Sequence, residues 1–245
     1  MDDDRFSRAY EKGICIYQNR KCIGVLGEKK LHSILKYYIE SDYLYHEIRI
    51  NGFFADIYKD NVIYEIQTSS FNRLRNKLNS FLDEYNVNII YPIPYNKWIY
   101  WISDQDGTIS DKRKSPKKGN YMDAFKELYK IKMFLRNEKL KITLMLIDMH
   151  EYRLLNGWSK DFKKGSSRYE RIPTKICDSL NLSTKKDYLF FFPDDLQSPF
   201  TVKKYSEVLG INRRLAGLML NIMNHLDVIR VTGKQKNAYL YEICK

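Results

Sequence analysis

The sequence predicts an α/β fold: a mixed central sheet with helices on its faces, followed by a small C-terminal unit of two helices and a hairpin. Three observations predict it. β-prone runs broken by the turn pairs Asn51-Gly52 and Asp60-Asn61 read as three successive strands. Apolar residues at helix spacing, Leu31 to Ile39 and Phe71 to Tyr85, put a helix on either side of them. From Thr201 onward, two capped helical stripes precede two short β-prone runs.

A chain of 245 residues suits one large domain or two smaller ones. Its 42 Lys and Arg against 30 Asp and Glu leave a net charge of +12. That excess favours polyanionic partners, although basic charge also serves solubility. Cys15, Cys22, Cys177 and Cys244 lack C-x-x-C spacing, which argues against a zinc framework or a disulfide scaffold. His32, His46, His150 and His225 are equally scattered and read as packing or surface residues. No apolar run follows the acidic start, and stretches such as Ile142 to Ile147 are too short to span a bilayer. A cytoplasmic protein with no membrane partner is therefore expected.

Residues 1–22 carry no clear pattern. Gly27 then precedes the helical stripe Leu31, Ile34, Leu35, Tyr38 and Ile39. Glu28 falls on its apolar side, either as a first-turn carboxylate favoured by the helix dipole or as an acid bordering a site. Tyr43 to Ile50 reads as a strand, with Glu47 as an exposed residue or a further acidic ligand. In the hairpin from Phe53 to Gln67, a two-residue Asp60-Asn61 loop sets Lys59 against Val62, Tyr58 against Ile63 and Asp56 against Glu65. Gln67 shares the face of Glu65. Opposed like charges destabilise a sheet, so this pair needs a shared proton or a cation such as Mg²⁺. A one-residue register slip that parts the two acids is the other reading.

Thr68-Ser69-Ser70 can cap the next helix, which carries Phe71, Leu74, Leu78, Phe81 or Leu82, and Tyr85 on its apolar stripe. Arg73 and Lys77 share another face, with Arg75 nearby; that face either holds phosphate or is simply solvated. Val87 to Ile93 and Trp98 to Ile102 read as two further strands. After the turn at Asp104 to Gly107, the cluster Lys112, Arg113, Lys114, Lys117 and Lys118 around Pro116 reads as a loop. A helix from Met122 to Asn137 and a strand from Leu140 to Met149 follow. A second basic segment opens at Gly157-Trp158-Ser159-Lys160 and carries Lys163, Lys164, Arg168 and Arg171. Pro173 then starts a short helical segment around Ile176 to Leu180. The two basic clusters are candidates for contact with a nucleic-acid backbone, or plain surface loops. The expected division is an N-terminal segment 1–22, a domain 23–180 (core 23–103, basic extension 104–180) and a C-terminal domain 181–245.

Thr201 caps a helix from Val202 to Leu209, which Gly210 ends. Asn212 starts a second, with Leu215, Leu218, Met219, Ile222, Met223 and Leu226 at helix spacing. The strands Val228 to Thr232 and Ala238 to Glu242 flank a basic turn. This is the winged helix-turn-helix order. Asn212, Arg213 and Arg214 stand at the helix end that enters the major groove in such proteins, and Lys234 and Lys236 at the wing tip. DNA contact is expected there; the same arrangement also serves protein contact.

Asp56, eight intervening residues and Glu65-Ile66-Gln67 on a hairpin, with Glu28 ahead and a helix behind, resemble the PD-(D/E)xK nuclease superfamily and its restriction-endonuclease-like fold. The lead-in Gly52-Phe53-Phe54-Ala55-Asp56 and the exit Glu65-Ile66-Gln67-Thr68-Ser69 are similar to its E-x-Q branch, which includes competence-protein-like nucleases. The runs Pro199 to Ile211 and Asn237 to Tyr241 are similar to tails on prokaryotic members of that group. The likeness covers residues 23–103 and 183–245. It implies a metal-dependent deoxyribonuclease in which Asp56, Glu65 and the Ile66 carbonyl hold Mg²⁺ or Mn²⁺ and Glu28 holds a water. It also implies a catalytic position for Gln67, where most members carry Lys. An amide can hydrogen-bond the attacking water but brings no positive charge to it, so Arg73, Arg75 or Lys29 are the candidate cations. Two functions are thus expected in turn: metal-dependent DNA hydrolysis or, because of Gln67, a catalytically inactive DNA-binding or regulatory protein on the same fold. An RNA substrate and a homodimer stay open.

Overall fold

The computed structural model describes residues 3–19, 30–158 and 164–244. Helices α1 (Asp3–Asn19) and α2 (Lys30–Ile39) come first, and the predicted stripe of α2 is realised, with Leu31, Ile34 and Leu35 fully buried. Two tight turns then build the first half of the sheet. Asn51, Gly52, Asp60 and Asn61 all have positive φ (48°, 82°, 49° and 61°), the left-handed backbone that two-residue hairpin loops demand. They join β1 (His46–Ile50), β2 (Phe53–Lys59) and β3 (Val62–Ile66) into an antiparallel meander with the predicted pairs Lys59 with Val62 and Tyr58 with Ile63. Tyr43–Tyr45 is a 3₁₀ turn rather than the start of β1, because the Asp42 side chain accepts the Leu44 amide and caps it.

Helix α3 (Arg75–Phe81), entered through a 3₁₀ turn at Phe71–Leu74, crosses over to β4 (Asn86–Ser103), which runs parallel to β3. The two strands expected at Val87 to Ile93 and Trp98 to Ile102 are one, kinked by a register shift between Pro94 and Lys97. The expected basic loop returns along it as β5 (Arg113–Lys114). Between Tyr121 and Phe134 the expected long helix is a series of short turns around α4 (Phe125–Leu128). It breaks at Ile131 (φ −116°, ψ 21°), whose fully buried side chain follows the core instead of the helix.

β6 (Leu140–Trp158) lies parallel to β4, and β7 (Lys164–Leu182) antiparallel to β6. The helical segment expected at Ile176 to Leu180 is therefore strand. Ile176 pairs with Ile147 and Leu180 with Leu144, but a register shift between them sends the two side chains into the cores on opposite sheet faces. Their four-residue spacing imitates a helix through a β-bulge. Pro173 sits on an edge strand, where its missing N–H costs no ladder bond.

The result is a mixed sheet in the order β1-β2-β3-β4-β6-β7 with helices on both faces. Against one face, Leu31 and Leu35 of α2 pack on Ile57, Ile66, Ile90 and Ile147. Against the other, α3 and α4 pack on Ile63, Ile89, Ile142 and Leu144. That second core continues into a C-terminal unit of α5 (Val202–Val208), α6 (Arg213–His225) and the hairpin β8 (Ile229–Gln235) and β9 (Ala238–Ile243). Its caps are the predicted ones: Thr201 accepts the Lys204 amide at 3.2 Å and Asn212 the Leu215 amide at 2.9 Å. Paired backbone bonds between Phe200 and Tyr241 close the unit. Among the described residues no helix is long and apolar enough to cross a membrane.

Candidate functional site

Strands β2 and β3 stay laddered from the turn to Ile57 and Tyr64. One step further along, the Asp56 carboxylate takes over the role of a backbone acceptor: its Oδ2 accepts the Ile66 amide at 2.7 Å. The same oxygen lies 3.0 Å from His32 Nε2 of α2. Glu65, only 3% exposed, accepts Lys77 Nζ of α3 on both oxygens, at 2.9 and 2.8 Å. Lys77 also donates to the Phe54 carbonyl at 2.6 Å. The hairpin thus supplies two acids, and the helices on the two faces each send one basic side chain to them.

The two carboxylates differ in charge state. Burial opposes ionisation of Asp56, but the hydrogen bond and charge of His32 and the Ile66 amide hold it below the ordinary carboxylate range. Burial and then the charge of Asp56 push Glu65 up to about 7, with Lys77 only partly offsetting them.

Lys77 corrects an expectation: its ammonium turns in to Glu65 instead of lying with Arg73 on an outer face. Arg73 is exposed, and Arg75 Nη2 meets Met133 Sδ at 3.2 Å. Gln67 is drawn into the turn that follows, donating to the Ser70 carbonyl at 3.0 Å and accepting from the Ser69 hydroxyl at 3.4 Å. His32, expected as a packing or surface residue, is the partner of Asp56. Glu47 pairs with Lys36 and stays exposed. Glu28 and Lys29 lie outside the described residues. Among the described residues no three His, Cys, Asp or Glu side chains cluster as metal ligands.

Of the basic residues expected to meet nucleic acid, those of β5 and the C-terminal unit remain on the outside, whereas Arg171 of the second basic segment is buried. Lys112, Arg113 and Lys114 are exposed along β5, with Lys114 Nζ 5.7 Å from the Trp98 ring centroid. Asn212, Arg213 and Arg214 are exposed at the start of α6, and Lys234 and Lys236 around the β8–β9 turn. The other end of α6 is tied down by Lys132 on Asn221 and by Arg136 on Asp227. Lys160 and Lys163 lie outside the described residues.

A second charged cluster takes in Arg168 and Arg171 of the second basic segment, while its acid, Glu151, and Lys97 and Arg153 escaped sequence reading. Glu151 of β6 is 1% exposed and is surrounded by cations. Arg153 donates to its Oε1 through Nε at 2.7 Å and Nη2 at 2.6 Å. Lys97 Nζ at 3.3 Å and Arg168 Nε at 3.5 Å approach Oε2. Burial opposes ionisation, but the charges of Lys97, Arg168 and Arg153 and the Arg153 hydrogen bond keep Glu151 below its usual range. Arg171 stands opposite Glu151 in the ladder and donates Nη2 to the Thr68 carbonyl at 3.2 Å. The signal that could have found this cluster is alternation: Met145, Ile147 and Met149 face one core, and Glu151 and Arg153 continue that side of β6.

Residues 29–183 match the model of a family described as a domain of unknown function, DUF8091. An uncharacterized protein of Treponema pallidum (strain Nichols) is 28% identical over 182 residues, 74% of this chain and 69% of its own length. No solved structure matches the chain. The matched stretch opens just before α2 and closes just after β7, so it takes in the whole large sheet and both charged clusters. The chain therefore belongs to the DUF8091 domain family.

Proposed function

We propose that this protein is a divalent-cation-dependent nuclease acting on DNA, with a restriction-endonuclease-like core and a winged-helix DNA-binding unit behind it. The observation that carries this reading is the buried Asp56–Glu65 pair, two carboxylates compensated by the ammonium of Lys77. The order α2-β1-β2-β3-α3-β4, with β3 and β4 parallel, supports the same core. The residues fit a hard cation: both acids offer oxygen, and Mg²⁺ commonly takes one or two carboxylates together with substrate phosphate. Asp56, Glu65 and the Ile66 carbonyl would hold it, and when bound it supplies a water of lowered pKa and charge stabilisation on the phosphate.

The chain's own groups do the rest. His32 and the Ile66 amide keep Asp56 ionised and oriented. Glu65 must shed its proton to bind a cation. Lys77 brings the positive charge that the position of Gln67 lacks, from α3 rather than from β3. Gln67, anchored by Ser69 and Ser70, shapes the exit of β3. Exposed Arg213, Arg214, Lys234 and Lys236 support DNA contact by the C-terminal unit. One observation favours a second reading, a non-catalytic DNA-binding or regulatory protein: Lys77 already occupies both Glu65 oxygens, as in a closed structural ion pair.

The test is incubation of the purified protein with Mg²⁺ or Mn²⁺ and single-stranded, double-stranded or branched DNA, with RNA in parallel. Metal-dependent cleavage is expected, falling on the order of a thousandfold in Asp56→Asn. Absence of any cleavage, or cleavage that Asp56→Asn leaves unchanged, sinks the nuclease reading. DNA binding without cleavage or metal binding would establish the second one.

A further inference from the structure

We infer that Lys97, Arg153, Arg168 and Arg171, gathered around Glu151, form a binding site for a phosphate group of the nucleic acid, beside the acidic pair. The choice of ligand rests on the nuclease reading; the site rests on its own geometry.

Four cations stand on three adjacent strands around one buried carboxylate, and three of them contact Glu151. Arg171 is left over. It is 8% exposed, and its Nε is buried with no hydrogen-bond partner among the described residues. The neighbouring acid does not serve it, because Glu170 Oε1 accepts the backbone amide of Arg171 at 2.9 Å. Burial, then repulsion from Arg168, pulls the guanidinium down to about 10. Leaving a buried N–H unpaired opposes folding. An oxyanion seated against the exposed Arg168 and Arg153, with Arg171 behind them, would offset the excess charge. The cluster is reachable: the Arg168 and Arg153 side chains are 49% and 32% exposed.

The position is suited to a strand lying across the acidic pair. Arg171 is bonded to the carbonyl of Thr68, three residues past Glu65. Three residues of chain reach at most about 10 Å, which makes the two clusters near neighbours. A phosphate held here would set which bond of the strand lies over Asp56 and Glu65, without reading sequence.

The experiment is fluorescence anisotropy in EDTA with a labelled single-stranded oligonucleotide bearing a 5′-phosphate, a 3′-phosphate or hydroxyl ends. Wild type is compared with Arg171→Gln and with the more exposed Arg168→Gln, which tolerates substitution better. Both variants are expected to bind about tenfold more weakly, with the salt slope of log Kd reduced by about 1. Inorganic phosphate should compete better against wild type than against Arg168→Gln. Loss confined to one phosphorylated end assigns a terminal monoester, and equal loss with all three assigns an internal diester; either carries the proposal. Unchanged affinity and salt slope in both variants overturn it, as does a wild type that binds neither oligonucleotide nor phosphate. Because no metal is present, failure of cleavage bears on the nuclease reading alone.

Discussion

Glu65 and Glu151 are the same residue type, both in strands of one sheet, buried to 3% and 1% exposure. Yet the first is pushed up to about 7 and the second held below its usual range. Burial opposes ionisation in both, so it cannot explain the difference. The company does: Glu65 shares its place with Asp56 and has one ammonium, whereas Glu151 has three cations within reach. One site sets two acids together, and the other gathers several cations on one acid. A metal ion would complete the first and a phosphate the second, and a nucleic-acid strand with its cation carries both.

The largest expected effect tests this opposition through stability. Glu151→Gln removes the carboxylate to which Lys97, Arg153 and Arg168 are paired, and urea denaturation should show a loss of about 3–5 kcal/mol, as when one side of a buried ion pair is deleted. Glu65→Gln should not destabilise above pH 7. The folded state holds the Glu65 proton more tightly than the unfolded chain, so stability falls as pH rises from 4.5 to about 7. At 1.36 kcal/mol per unit the ionised side chain costs up to about 3 kcal/mol, which Gln avoids. Glu151 has the opposite linkage: its contribution is present above 4.5 and is lost as pH falls through its lowered pKa. If the two variants flatten the same limb of the stability–pH curve, the contrast is broken.

Much of the frame was legible because it rests on local chemistry. Asp60-Asn61 can adopt positive φ, the α2 stripe repeats at helix spacing, and Thr201 and Asn212 are good caps. The hairpin register was legible for the same reason, since a two-residue loop sets it, and the ladder holds as far as Ile57 and Tyr64, one step short of Asp56 and Glu65. What depends on the path of the chain was not. Lys77 follows Leu74 by three residues and so borders the buried stripe, but that it meets Glu65 depends on how α3 crosses from β3 to β4. The Glu151 cluster needs the order β4-β6-β7, which brings Lys97, Arg153 and Arg168 together from distant parts of the chain. The β7 bulge disguised a strand as helical spacing.

A second, smaller effect separates the two sites by ligand. Saturating Mn²⁺ at about a hundred times its Kd should stabilise the wild type by about 2.7 kcal/mol in thermal or urea unfolding. Asp56→Asn should abolish that gain, and Arg168→Gln should keep it, because Arg168 belongs to the other cluster. A gain that vanishes in Arg168→Gln would mean that the two clusters are one site.

The smallest effect decides what Lys77 is for. Its ammonium lies where a cation bound by Glu65 would compete with it, at 2.8 and 2.9 Å from the two oxygens. Lys77→Met removes that competitor and the charge that lowers the Glu65 pKa, so the carboxyl titrates still higher in the metal-free protein. Once the pH is high enough to ionise Glu65, Mn²⁺ should bind up to about tenfold tighter, about 1.4 kcal/mol. Cleavage should nevertheless fall, because the only cation reaching the acids from α3 is gone, and Lys77→Arg should restore part of it. Tighter metal binding with undiminished cleavage would make Lys77 a counter-ion that the metal displaces. Weaker metal binding would make it a brace holding Glu65 in place. Only tighter binding joined to slower cleavage gives Lys77 the role that Gln67 leaves open.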